Sequence, residues 1–228
     1  MAVTDLNLSS LSINTMRRPG RTISLRVLPD GTLKVNAPLS TSQRRINGFL
    51  ASKANWIARQ LNLVENLYDF SPQKQIAPRL TVEVVASSSL KAVSDQPDKI
   101  TIFKPDSVSN WQAYLRARPL IKRRLGELAK PVILTELSNL AGSHGYSYST
   151  YSIKFMRSRW GSCTAQGKIA LNSQLIRLPV DLRLYVIAHE LAHLRVANHS
   201  SEFYRQVSQM IPGYKQKQKE LKQYGLLH

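Results

Sequence analysis

One cysteine in the whole chain, Cys163, removes two kinds of architecture at once. No intrachain disulfide can form, so nothing points to an oxidising compartment, and a zinc site built mainly from cysteines is excluded. Long apolar runs are also missing: nowhere do the roughly 18 consecutive apolar residues of a bilayer-crossing helix occur. Met1 to Met16 is polar and lacks the charged-then-hydrophobic order of a secretory leader, so the sequence predicts a soluble, cytoplasmic protein with no membrane partner. Acidic residues are scarce, 14 against 32 basic ones, which leaves a formal charge of +18. The basic residues concentrate in Arg116, Arg118, Lys122, Arg123 and Arg124 and again in Lys215, Lys217, Lys219 and Lys222, close to regular spacing on helical faces. Such a surface attracts nucleic acid, DNA non-specifically among it, or anionic lipid in a salt-dependent way. No helix-turn-helix or zinc-finger spacing is present to read a base sequence, and no internal repeat or low-complexity tract occurs.

What the chain does have is 43% hydrophobic residues over 228 positions, enough for one large domain or two small ones with real cores. Residues 1–20 show no period and read as a loose arm. Ile23, Leu25 and Val27 alternate with polar residues, Pro29-Asp30-Gly31 supplies a turn, and Leu33 and Val35 resume the alternation, which predicts a β-hairpin. Ser40 followed by Gln43 has the form of a capping box, and Ile46, Phe49, Leu50, Ile57 and Leu61 recur at helical spacing. Leu80, Val82 and Val84 with Ile100 and Ile102 predict a second strand pair across a polar stretch. Residues 21–109 therefore read as a small α+β N-terminal domain, and 110–228 as a second domain. There a helical pattern from Asn110 to about Ala141 is expected to break at Pro119 and Pro131. Two strands follow, Tyr151 to Met156 and Lys168 to Ile176, and then a helix opened by Pro179 and Asp181 running to about Val196. Ser200 is a candidate cap for the next helix, and Tyr214 to Tyr224 reads as the last.

Chemistry concentrates in His189-Glu190-Leu191-Ala192-His193, an H-E-x-x-H pattern. On a helix, residues four apart share one face at about 5–6 Å, so two imidazoles can hold one metal ion. Zinc binds nitrogen at about 2.0–2.1 Å in a near-tetrahedral shell with one position open. The third ligand must come from beyond the helix. His199 is the first candidate, past a helix end near Ala197-Asn198 where Asn can take the left-handed conformation, and Glu202 is the alternative. Glu190, beside a ligand rather than in line with one, is placed to act as general base on a metal-activated water. With 5 His and 7 Glu, the pattern arises by accident in roughly one shuffled chain in 300.

Several runs together carry a family resemblance: Arg157-Ser158-Arg159-Trp160-Gly161-Ser162-Cys163, Ile169-Ala170-Leu171-Asn172, Tyr185 to His193, and Asn198-His199-Ser200 with Phe203. They resemble the YgjP-like metallopeptidases, relatives of the SprT and WLM groups of zincins. The hairpin with Asp30-Gly31, Ala37-Pro38, Lys53 and Trp56-Ile57 extends the likeness to most of residues 20–210, although a glycine-containing turn of the family is missing between 70 and 110. The resemblance implies an α+β fold in which a zincin-like metallopeptidase domain over 110–228 packs its active-site helix on a small antiparallel sheet. It also implies a Zn2+ cofactor, His199 as third ligand, a protein or peptide substrate, and a cleft bordered by Trp160, Gly161 and Ser162. The ligand spacing equals that of metzincins, but Val196 stands where those have glycine and no Met-turn follows, so that class is rejected. Some relatives act on proteins held on DNA, which with the +18 charge suggests a DNA-associated version. The rival from another class is a nucleic-acid-binding protein with a silent structural zinc, Cys163 supplying a fourth ligand. Oligomeric state is left open.

Overall fold

Leu33, Val35 and Ala37 are buried while their neighbours are not, and this period of two makes their segment the centre of the first sheet. The computed structural model describes residues 11–228. Strands β1 (Ile13–Arg18), β2 (Ser24–Val27) and β3 (Leu33–Pro38) stand in the order β1-β3-β2, with β1 parallel and β2 antiparallel to β3. The β2–β3 turn is the expected one, closed by Gly31 at φ +84° and by the Asp30 carboxylate accepting from Thr32 N at 2.9 Å. Strand β1 corrects the expectation of a loose arm over 1–20. Its side chains are almost all exposed, so no alternation marks it; backbone pairing with β3 and the Arg17 guanidinium donating to the Thr41 carbonyl hold it. Residues 1–10 of that arm lie outside the described residues.

Two helices, α1 (Gln43–Ser52) and α2 (Ala54–Tyr68), complete this unit, with Ile46, Leu50 and Ile57 joining β3 in one core. The cap of α1 is Ser42 rather than Ser40, accepting from Arg45 N at 3.3 Å.

The chain divides at Asp69/Phe70, not near residue 110 as expected. The reason is a four-stranded sheet, β4 (Gln73–Ala77), β5 (Leu80–Ala86), β6 (Lys91–Gln96) and β7 (Lys99–Lys104), in the order β4-β5-β7-β6. The expected pair β5 and β7 is present and parallel. The polar stretch between them holds β6, an edge strand that packs with β7 against the following helix and so joins this sheet to the second unit. Arg79 sits in the tight β4–β5 turn at φ +59°, the left-handed region where glycine is free of steric cost.

Helix α3 (Asn110–Ser143) runs through both prolines without a break, opened by a capping box between Ser109 and Gln112. Apart from Tyr114, its buried residues recur every fourth position, Ala113, Ala117, Ile121, Leu125, Ala129, Ile133, Leu137 and Ala141, while Pro119 and Pro131 are exposed. Each interior proline costs about 3 kcal/mol. A continuous buried stripe at about 1.5–3 kcal/mol per large apolar side chain offsets that, so tertiary packing overrides the expected interruption. Among the described residues no helix is long and apolar enough to cross a membrane.

After α3 come β8 (Thr150–Lys154), β9 (Gly161–Cys163) and β10 (Lys168–Asn172), ordered β8-β10-β9. The sheet is mixed rather than antiparallel: β10 pairs β8 in parallel and β9 antiparallel. A 3-10 helix, Ser173–Arg177, leads to α4 (Val180–Ala192), α5 (Ser201–Met210), capped by Ser200 as expected, and α6 (Tyr214–Leu221). The α+β class therefore holds.

Candidate active site

Helix α4 is buried on nearly every side, through Leu182, Tyr185, Val186, Ile187, Ala188, Leu191 and Ala192. Its charged Arg183 is buried too, because Glu136 of α3 receives it in a two-pronged ion pair at 2.6 Å and the Leu178 carbonyl accepts a third bond at 3.0 Å. This anchors the helix that carries His189, Glu190 and, at its C-cap, His193.

The chain then reverses without a left-handed residue. Leu194 N, Arg195 N and Val196 N bond back to Leu191 and Ala192 carbonyls, and Asn198 keeps a negative φ, so the expected left-handed turn there is not used. The reversal brings His199 back to the helix, with its Nε2 3.1 Å from the Nε2 of His189. One ligand atom from each of His189, His193 and His199 lies within 4.8 Å of the others. Nitrogens at 2.0–2.1 Å from a tetrahedral ion stand about 3.3 Å apart, so the donor set fits zinc. Val196, in the position where metzincins have glycine, accepts from His193 Nδ1 at 3.2 Å, which leaves the His193 Nε2 lone pair free to bind. Phe203, fully buried, packs against all three imidazoles at ring distances of 4.9, 4.5 and 4.8 Å. Burial, then the charges of the neighbouring imidazoles, lowers the His189 pKa to about 4, so this ring is an unprotonated donor at neutral pH.

The alternatives lie elsewhere. Glu202 is tied to Arg205 and to Gln206 at 2.7 and 2.8 Å, and these contacts hold its pKa down to about 2. Cys163 is outside the histidine cluster, half-buried, with its thiol bonded to the Thr164 carbonyl at 3.5 Å. A structural four-ligand site therefore lacks its fourth member among the described residues.

Glu190 is 6% exposed. Burial raises its pKa to about 7, against the pull of Arg159. Its carboxylate lies against Gly161: a Cβ there would fall 2.6 Å from Oε1, so no other residue fits at 161 without moving the acid. The loop that brings Gly161 so close is held by Asn172, whose side chain donates to the Met156 and Arg159 carbonyls at 2.7 and 2.8 Å and accepts from Met156 N and Gln174 N at 3.1 Å. All its bonding capacity is used.

A cleft of 490 Å³ opens beside His189 and Glu190. Trp160 and Gly161 line it, whereas Ser162 does not and instead pairs with Ala170 across the sheet. Strand β9 is an edge of its sheet. Residues missed in the sequence are Arg159, Tyr185 and the far wall from α6 and beyond, Leu221, Lys222 and Tyr224. Tyr185 had a signal, since it stands four residues before His189 on the same helical face, where its ring is 6.2 Å from the imidazole. Burial pushes its phenol up to about 12, so it stays protonated. The α6 wall had none, because only tertiary folding brings it there.

A family model described as YgjP-like, metallopeptidase domain, matches residues 21–224. Among solved structures, the chain is similar to the crystal structure of the metallopeptidase zymogen of Pyrococcus abyssi abylysin, at 24% identity and a TM-score of 0.37 over 42% of this chain and 99% of that one. It is also similar to the metallopeptidase zymogen of Methanocaldococcus jannaschii jannalysin, at 21% identity and a TM-score of 0.34, over 40% of this chain and 91% of that one. No curated protein matches it.

Proposed function

The chain belongs to the YgjP-like metallopeptidases, and from that premise we propose that His189, His193 and His199 hold one zinc ion while Glu190 is the general base of peptide hydrolysis. The protein is a hydrolase of peptide or protein substrates. The observation that carries it is the convergence of three imidazole donors within 4.8 Å beside a buried glutamate that is not a member of the cluster. When bound, zinc lowers the pKa of a coordinated water to about 7 and polarises the scissile carbonyl. Glu190, its carboxylate seated against Gly161, takes the proton of the attacking water and returns it to the departing amine. Edge strand β9 offers unpaired backbone groups to an extended peptide.

The decisive experiment is cleavage of an unfolded protein such as casein by zinc-loaded wild type and by Glu190→Ala. Wild type is expected to cut, and the variant to retain zinc and lose at least about a hundredfold in turnover. Equal cleavage by both would remove Glu190 from the role.

A finer version places this proteolysis at DNA. Its support is the +18 charge, with Arg118, Lys122 and Arg157 around a 480 Å³ pocket of the second unit, and Arg21 and Arg45 beside Phe49 in a 550 Å³ pocket of the first. Parts of the expected basic clusters are otherwise engaged: Arg124 pairs with Glu127 and Lys217 with Asp181. This version expects single-stranded DNA to stimulate cleavage and salt to abolish the stimulation. Proteolysis indifferent to both would dismiss it.

A further inference from the structure

We propose that the cleft beside Glu190 selects peptides that present a bulky apolar side chain next to a carboxylate, with Arg159 and Lys222 receiving the negative charge. The inference rests on the peptidase reading above and adds which peptides the site takes.

The cleft carries two chemistries. Trp160, Val186, Leu221 and Tyr224 surround it with ring and hydrocarbon surface, and its 490 Å³ falls within the range of about 300–1,000 Å³ typical of ligand sites. That leaves room for one large side chain and the backbone on either side. At its margin Arg159 and Lys222 are exposed. Some cations of this unit are matched, Arg183 to Glu136, Arg205 to Glu202 and Lys217 to Asp181. Arg159 and Lys222 form no ion pair among the described residues. The one carboxylate lining the cleft is Glu190, and it is buried. A peptide entering here displaces water from two exposed cations, of which Arg159 already acts on the buried Glu190, and an anionic group on the peptide compensates for that loss where a cationic one adds repulsion.

The wall holding Lys222 is fixed in advance. Lys217 of α6 is ion-paired to Asp181 at the start of α4, and Tyr214 stacks on Tyr204 at 5.4 Å. Beyond α6, Leu227 is clamped by Gln174 through bonds of 2.7 and 2.8 Å. Little ordering is left for the substrate to drive, so the charge preference should register in affinity.

The test uses peptides of one length with a central Phe or Leu flanked by Asp, Ser or Lys, each as the free acid and as the C-terminal amide. With the zinc-loaded full chain, kcat/KM should favour the acidic peptide over the basic one by about three- to tenfold, mostly through KM, as expected of partly exposed charges. Lys222→Glu should reverse the order. An acidic preference that survives amidation places the carboxylate in a side chain, and one that needs the free acid places it at the peptide terminus; both support the proposal. Equal rates for the three peptides, or an unchanged order in Lys222→Glu, overturn it. Binding of the same peptides to Glu190→Gln, followed by tryptophan fluorescence, reads the preference without turnover. Discrimination in binding with no cleavage by wild type would sink the peptidase reading alone, and binding without discrimination would sink this one.

Discussion

Gly161 is the residue on which the chemistry is most exposed to a small change. Its missing side chain is the space occupied by the Glu190 carboxylate, and an alanine methyl would sit 2.6 Å from Oε1. Gly161→Ala should therefore displace the acid by a fraction of an ångström to an ångström and lower turnover by about a hundredfold, with zinc content unchanged because no histidine is disturbed. Parallel activity and metal analysis checks this; normal turnover would mean that Glu190 has slack not visible in its packing. Such a constraint was not legible in the sequence. The run Trp160-Gly161-Ser162 marks a place, but the reason for its glycine lies 29 positions away along the chain, in Glu190. The histidines were legible because helical spacing is a local rule: His189 and His193 needed only a helix, which formed. His199 was legible as a candidate, yet the reversal that delivers it runs through ordinary backbone at Asn198 rather than a left-handed turn.

At the scale of elements, α4 is held to α3 by a buried ion pair. Glu136→Ala would leave the Arg183 guanidinium, 6% exposed, without its partner, and this should cost about 3–5 kcal/mol by chemical denaturation. A loss below 1 kcal/mol would mean that water reaches Arg183. The β4–β5 turn offers the opposite case. Arg79 holds a left-handed backbone at φ +59°, so Arg79→Gly should stabilise the protein by about 1 kcal/mol, read as a rise in denaturation midpoint. Elements with strong local patterns, such as the β2–β3 hairpin and α5 with its Ser200 cap, were legible before folding. Those without them, β1 and β6, were not: both are edge strands whose exposed or half-buried side chains do not alternate cleanly. The prolines of α3 misled for a related reason. A local penalty is visible in sequence, while the packing that offsets it is distributed over eight residues facing several partners.

For the molecule as a whole, the site leaves a mark on stability against pH in the metal-free protein. His189 has its pKa lowered to about 4 from 6.5, so its contribution is complete above pH 6.5 and is lost as pH falls through about 4. Glu190 is raised to about 7 from 4.5, so its contribution is complete below pH 4.5 and is lost as pH rises through about 7. Each amounts to on the order of 3 kcal/mol, and between pH 4.5 and 6.5 the two slopes oppose. His193 is also lowered by burial and adds to the histidine slope, so the Tm of metal-free Glu190→Gln should climb more steeply from pH 4.5 to 6.5 than that of wild type. Identical profiles would show that Glu190 is not held near neutrality by burial.

The buried stripe of α3, stepping by four residues, has a mechanical consequence. A helix repeats every 3.6 residues, so each step of four carries the contact line about 40° round the axis, and the helix meets its neighbours as a screw meets a nut. One residue inserted near Gly126 would turn everything beyond it by about 100° and advance it by about 1.5 Å, carrying Glu136 away from Arg183. Four inserted residues would nearly restore the phase. The length of this helix, counted in residues, is thus a thread setting that times the position of α4.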